Sequence, residues 1–300
     1  MKAMVTCAAT LLALAAASLP AAAQGGAEPF PADSLQELRR GDGTREIGRV
    51  VEVRGDTTVF ETISGERLEV RSRFVHVRRA RGRIVDGEFW PADRHTSRLF
   101  FAPTGRTLRQ GTGYAGLFFF LPFVGYGATD AVTLDGGVPF MGSLEETPVW
   151  IAPKVRVYGS PTAQVSTGVF AIRIPGTDTE YCAPDCGEVR DASWNGIAYG
   201  VGTFGDEENA LHAGAGVMFG MDETEVPVMV GGELRVSRAN KLITENWLIP
   251  GEGGAVSLGV RRLGRTWTVD YGLMAVFGPD SEEVPYFPIV SFSYAFGGGR

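Results

Sequence analysis

The stretch Gly116–Asp130, GLFFFLPFVGYGATD, decides how the chain is to be read. From Tyr114 to Ala128 it carries no charge, yet it is too short for a spanning helix, which needs about 20 apolar residues. Pro122 in its middle and glycines on both sides argue against a buried helix as well, since both residue types destabilise helix interiors. A tilted strand crosses a bilayer in about 9–11 residues. The stretch therefore reads as a membrane strand with phenylalanine on both faces, closed by the turn GATD, provided that the rest of the chain builds a barrel around it.

From Ser97 onward the sequence is a series of short segments bounded by turn residues, the repeated signature of a transmembrane β-barrel. Strands are predicted at 97–104, 112–126, 131–141, 149–158, 162–174, 192–204, 209–220, 227–236, 240–249, 254–263, 266–277 and 287–296. The connections give an independent test, because such barrels alternate short turns with longer loops. GATD, GSPT, GDEEN, SRAN and LGR fall after even-numbered strands, whereas 142–148, 175–191, 221–226, 250–253 and 278–286 fall after odd ones, and with one exception the latter are the longer. That parity puts both ends of the barrel on the short-turn, periplasmic side. Alternation supports the strands. Leu211, Ala213, Ala215, Val217 and Phe219 oppose His212, Gly214 and Gly216; Trp267, Val269, Tyr271 and Leu273 oppose Thr268 and Asp270; Ile197, Tyr199 and Val201 oppose Gly196, Ala198, Gly200 and Gly202. The apolar face of each is expected to meet lipid and the small or polar face the lumen. A water-soluble two-sheet sandwich is the alternative, and it would bury the apolar faces instead.

Residues 1–23 read as a secretion signal, with Lys2, an apolar block from Leu11 to Leu19, and Ala21–Ala23 as the cleavage site. Cys7 would leave with the signal. The remaining Cys182 and Cys186, in DTEYCAPDCGE, read as a local disulfide in an oxidising compartment. Residues 24–33 are a linker. Residues 34–90 form a small β-rich periplasmic domain, residues 91–96 a second linker, 97–296 the barrel and 297–300 a tail. The formal charge of −7 hides an asymmetry. Arg39–Arg109 holds 16 arginines against 10 acidic residues, net +6, and Gln110–Arg300 holds 11 Lys and Arg against 22 acidic residues, net −11. In the small domain the runs IGRVVEV, TVFETI, RLEV and FVHV alternate with Gly-containing turns, as antiparallel β-domains do. The pattern resembles the SH3-like or Sm-like small barrels. Ser34 and Glu37 fit a capping box and predict a short helix over 34–40. Arg71, Arg73, Arg78, Arg79, Arg81 and Arg83 form a basic surface that would suit an anionic periplasmic surface, although Glu61, Glu66 and Glu69 also balance it as an ordinary solvated face.

No chemistry emerges from the motifs. Gly111, Gly113 and Gly116 spell GxGxxG but open a strand, not the strand-to-helix turn that a dinucleotide site requires. His76, His95 and His212 lack ligand or catalytic spacing, and neither a cofactor, a metal nor an enzymatic activity is expected. Nucleic acid is excluded as a partner by export; the partners expected are outer-membrane lipids and the machinery that inserts barrels. Alternation directs Asp135, Lys154, Arg156, Glu233, Arg235, Arg261 and Asp270 into the lumen, with Arg173 a further possibility. Many other inward positions are Gly or Ala, which leaves room for a water-accessible path. Two functional readings follow: a narrow channel for small or anionic solutes, or a non-transporting barrel that anchors its loops and its periplasmic domain.

Two resemblances complete the reading. The segments RLFFAPTGRTLRQGTGY (98–114), LPFVGYGATD (121–130) and TLDGG (133–137) resemble a set of bacterial outer-membrane proteins of unassigned function that share an LFFAPTGR…GxGY…FPF…YGxTD opening. That resemblance implies a fold and a location and carries no activity. Phe292, Tyr294 and Phe296 share one face near the C-terminus, which resembles the aromatic-ended terminal strand recognised during barrel insertion; here GGGR follows it.

Overall fold

The computed structural model describes residues 34–138, 147–176, 192–221, 224–279 and 283–297. The expected signal, the 24–33 linker and the Cys182–Cys186 disulfide lie outside the described residues. The chain divides between Ala80 and Arg81 into two compact units.

The first unit contains five antiparallel strands, β1 (Gln36–Arg40), β2 (Arg45–Arg54), β3 (Thr57–Thr62), β4 (Arg67–Arg71) and β5 (Val75–Arg79), in the order β4-β3-β2-β1-β5. Leu38, Ile47, Val59 and Phe60 are its buried apolar residues. The predicted helix over 34–40 is instead strand β1. Glu37 does not cap a helix; its carboxylate reaches across to Arg78 of β5 at 3.1 Å, a cross-strand pair of the kind that stabilises sheets.

The second unit begins ten residues earlier than the 91–96 linker predicted from composition. Its first elements are β6 (Gly82–Val85) and β7 (Glu88–Pro91), a hairpin turned by Asp86 and Gly87, both at positive φ. Asp-Gly is a favoured pair for a two-residue hairpin. Pairing between β6 and β7, and contacts of Arg83 and Pro91 with barrel residues, fasten this hairpin to the second unit.

The barrel is all-β, closed and antiparallel, with twelve strands: β8 (Thr112–Phe118), β9 (Leu121–Thr129), β10 (Val132–Gly137), β11 (Val149–Gly159), β12 (Ala163–Ile174), β13 (Ser193–Gly205), β14 (Asn209–Phe219), β15 (Val228–Arg235), β16 (Asn240–Ile249), β17 (Gly253–Leu263), β18 (Trp267–Phe277) and β19 (Tyr286–Gly297). Each strand pairs with the next, and β19 pairs with β8 to close the wall. Closure leaves no strand edge unpaired.

The count of twelve agrees with the sequence reading, but two of its strands are assigned differently. Residues 112–126, expected as one strand, are β8, a two-residue reversal at Phe119–Phe120, and most of β9. Phe119 takes φ 52°, and Phe120 is 81% exposed at the tip. Residues 97–104, expected as the first strand, are not in the wall at all. The two errors cancel, so GATD remains a turn after an even-numbered strand.

Outward faces carry large apolar side chains, among them Leu134, Val157, Leu211, Val230, Leu258 and Leu273. Exposed aromatics mark both rims: Trp194 and Tyr286 at the loop end, and Tyr158, Phe204, Trp267 and Tyr294 at the turn end. An apolar band flanked by aromatic girdles is the surface a transmembrane barrel presents to lipid. Strand β13 departs from the expected sense. Its Ile197, Tyr199 and Val201 face inward, Val201 at 3% exposure, while Ala198 and Gly200 face outward. The inversion has a physical reason: the lumen holds an apolar core of its own.

Candidate functional site: a hairpin plug and the cavity above it

The segment between β7 and β8 fills the barrel interior. Leu99 donates its N–H to Ala102 O at 2.9 Å, Thr104 N–H to Ser97 O at 3.0 Å, and Arg98 pairs antiparallel with Pro103. Residues 97–104 are thus a tight hairpin with Phe100 and Phe101 at its tip. Leu99, Phe100 and Ala102 pack against Val201, Met229, Ile243 and Ile289 of the wall. Burial of a Leu or Phe side chain is worth roughly 1.5–3 kcal/mol, which favours the inserted hairpin over a hydrated one. Wall glycines admit it: a side chain at Gly231 would collide with Leu99, and one at Gly259 would lie 3.0 Å from Phe100.

Backbone polar groups of the plug are met by wall side chains. Lys154 donates to Ser97 O at 2.7 Å and Thr104 O at 3.0 Å. Ser166 donates to Gly105 O at 2.7 Å, and Thr203 accepts Gly105 N–H at 2.8 Å. Thr133 accepts Leu108 N–H at 2.8 Å. At the tip, Glu245 Oε2 accepts the N–H groups of Phe101 and Ala102 at 2.9 and 3.0 Å. Irregular backbone at membrane depth is tolerated only where protein satisfies it in this way.

Below the hairpin lies a buried network of charges. Arg261 makes a two-pronged bond to Asp270, at 2.7 and 3.0 Å, and also donates to Leu99 O at 2.7 Å, His95 O at 3.1 Å and Asp93 Oδ2 at 3.3 Å. Lys241 bridges Asp93 at 3.1 Å and Glu233 at 3.0 Å. Arg106 binds Glu233 and Asp206 O. Arg98 donates to Ser293 at 2.7 Å and lies 4.6 Å from the Phe123 ring centroid. Burial alone would raise the pKa of Asp93, but Lys241 and Arg261 outweigh it and hold the carboxyl well below the usual carboxylate range. Burial pushes His95 down to about 3, against the opposing pull of Asp93, so its imidazole is neutral at pH 7. Charges taken out of water this completely persist only when paired.

The residues directed inward by alternation divide as follows. Lys154, Glu233, Arg261 and Asp270 are buried and hold the plug or one another. Asp135 accepts a 2.5 Å hydrogen bond from Tyr114 Oη. Arg235 is buried near the turn end, donating to the carbonyls of Pro91, Ser237 and Arg238 at 3.0, 2.7 and 2.6 Å. Arg156 and Arg173 are half-buried on β11 and β12. The expectation that small inward residues leave the lumen unfilled is corrected: the filling comes from chain that precedes the wall, which alternation along the strands cannot register. Asp93, Arg98, Arg106, Lys241 and Glu245 were not singled out from sequence. Three of them lie in that preceding segment, whose density of charge beside apolar LFF was the available signal.

The basic cluster is split by the unit boundary. Arg71, Arg73 and Arg79 are exposed on the first unit, Arg73 stacking on Phe74 at 4.7 Å, and Arg78 is tied to Glu37. Arg81 and Arg83 belong to the second unit, where Arg83 lies over Trp90 at 5.6 Å and 3.9 Å from Glu208. Among the described residues, no group of three or more His, Cys, Asp or Glu side chains could hold a metal ion.

Above the tip, towards the loop end, the plug leaves an apolar cavity of about 120 Å³. Phe101, Phe118, Trp150, Phe170, Tyr199 and Trp247 supply most of its wall, and Asp135 lies at its inner end. Phe101 of the plug meets Phe170 edge-on at 5.4 Å.

Fold and interior together define a plugged, closed twelve-stranded β-barrel of the transmembrane type. Among solved structures the chain is similar to OmpT, an outer membrane protein of Vibrio cholerae. The loop L8 deletion mutant has 14% identity and a TM-score of 0.38, over 87% of this chain and 96% of that one. Outer-membrane expressed OmpT has 13% identity and a TM-score of 0.36, over 90% and 100%. The in-vitro folded trimer form has 14% identity and a TM-score of 0.33, over 87% and 96%. No family model and no curated protein matches the chain.

Proposed function

We propose that this chain is a non-transporting outer-membrane barrel, closed by its own 97–104 hairpin, which anchors its loops outside and its small β-rich unit in the periplasm. The observation that carries the reading is the hairpin itself: it fills the lumen with Leu99, Phe100 and Ala102 and is bonded to the wall through Lys154, Glu245 and Arg261. The same contacts weigh against the narrow anion channel, because Arg261 is neutralised by Asp270 and Arg235 is occupied with carbonyls. The apolar band and its two aromatic rims support placement in a bilayer. Short turns on the side of both barrel ends support a periplasmic position for them.

Single-channel recording in planar bilayers tests the reading. Folded, heat-modifiable wild-type protein is expected to be silent, and a variant with residues 97–104 replaced by a short Gly-Ser linker is expected to open discrete conductances. Steady ion-selective openings from the wild type would overturn it.

A further inference from the structure

We infer that the loop-end cavity is a binding site for a small uncharged hydrocarbon ligand about the size of one aromatic ring. Three observations lead there. First, the volume: about 120 Å³, in a space open enough that Phe101 on its floor is 50% exposed, is room for about one ring, since benzene occupies apolar cavities of roughly 150 Å³. A single ring or a short alkyl segment fits such a space.

Second, the wall is built from ring faces and edges. Phe101 meets Phe118 at 6.3 Å and Phe170 at 5.4 Å, and Trp150 meets Phe170 at 5.6 Å. Phe118, Trp150 and Phe170 come from three different wall strands and Phe101 from the plug tip, so the plug makes the floor of the cavity. Inward-facing aromatics of this density are not needed to meet lipid.

Third, the polar groups at the inner end are bonded mainly to one another, although the buried Arg98 Nε has no hydrogen-bond partner among the described residues. Ser97 Oγ donates to Tyr114 Oη at 3.3 Å, Tyr114 Oη donates to Asp135 Oδ1 at 2.5 Å, and Arg98 is engaged by Ser293 and Phe100 O. An anionic ligand would meet the Asp135 carboxylate. A hydrocarbon leaves these bonds intact, and its transfer from water is favourable in proportion to the apolar area it buries.

The inference rests on the plug only for its floor, and binding is read separately from conductance. A conducting barrel that still binds would overturn the proposed function and leave this site standing. The test uses full-length protein in lipid nanodiscs, with Trp90, Trp194 and Trp267 replaced by Phe so that only Trp150 and Trp247 report. Bromobenzene, a heavy-atom quencher, should quench their fluorescence saturably, and toluene should compete. Ala152→Phe, which places a ring in the cavity, should weaken the saturable phase at least about tenfold while heat-modifiable migration is kept; Ala152→Val serves where the Phe variant does not fold. Quenching that is linear in bromobenzene, or unchanged by filling at Ala152, would reflect partition into lipid and sink the site.

Discussion

Glu245 holds the plug tip through Ala102: its Oε2 accepts the Ala102 N–H at 3.0 Å and the neighbouring Phe101 N–H at 2.9 Å, while Oε1 accepts Trp247 Nε1–H at 2.9 Å. Hydrogen bonds to a charged acceptor contribute about 1.5–3 kcal/mol each. Glu245→Ala should therefore release the tip without unfolding the wall. Amide hydrogen exchange at Phe101 and Ala102 should speed by at least about tenfold, while amides of β13 and β14 keep their protection. Equal acceleration across the wall would show that Glu245 supports the barrel as a whole.

Arg261 is fully buried, and its guanidinium serves both wall and plug, through Asp270 and through the carbonyls of Leu99 and His95. Its removal leaves the buried Asp270 carboxylate with Arg98, 3.8 Å away, in place of a two-pronged bond. Breaking a buried pair in this way costs about 3–5 kcal/mol. Arg261→Ala should lower the urea midpoint of unfolding from lipid vesicles accordingly. Arg261→Lys should recover only part of the loss, because an ammonium cannot supply the planar two-pronged bond. Full recovery by lysine would mean that charge alone matters at this position.

The wall was legible in sequence because a strand that separates lipid from lumen must alternate, and ten of the expected strands correspond one to one to strands β10–β19. Lys154, Glu233 and Arg261 are buried, and each is bonded to the chain that precedes the wall. The plug was not legible, because 97–104 has the apolar character of a strand and its hairpin depends on wall side chains far along the chain, Glu245 and Thr203 among them. For the same reason β13 misled: Ile197, Tyr199 and Val201 look like a lipid-facing stripe, and only the presence of Leu99 and Phe100 inside the barrel makes the lumen apolar enough to receive them. Of the cavity aromatics, only Phe118 and Phe123 belong to the phenylalanine-rich 116–123 stretch; most of the others come from the plug and from strands far along the chain.

Acid should loosen the plug before it unfolds the barrel. His95 is pushed down to about 3 in the folded protein, against about 6.5 in an unfolded chain. Between those values the unfolded chain binds a proton that the folded one does not, so stability falls as pH drops from about 6.5 towards 3. Asp93 is held below its usual range; its contribution is present above the unfolded carboxylate value of about 3.9 and is lost as pH falls further. Unfolding at pH 7 and pH 5 should differ for the wild type, and His95→Asn should flatten that difference. An unchanged slope in the variant would assign the acid sensitivity to other groups.

Gly105, which ends the second limb of the hairpin, is pressed onto the wall. A Cβ there would collide with Gln164 O and stand 2.9 Å from Thr203 N, both backbone atoms of neighbouring strands that cannot swing aside. The same approach lets Thr203 accept the Gly105 N–H and Ser166 donate to its carbonyl. Gly105→Ala should push the limb off the wall and break both bonds, an overpacking cost of about 1–3 kcal/mol that falls on the plug because the wall strands are held by their own ladder. The expected result is faster exchange at Gly105 and Leu108 with strand amides unaffected, together with conductance bursts in planar bilayers that the wild type lacks. Silence from Gly105→Ala, combined with wild-type exchange, would show that the limb has room to shift and that its fit against β12 and β13 does not fix the plug in place.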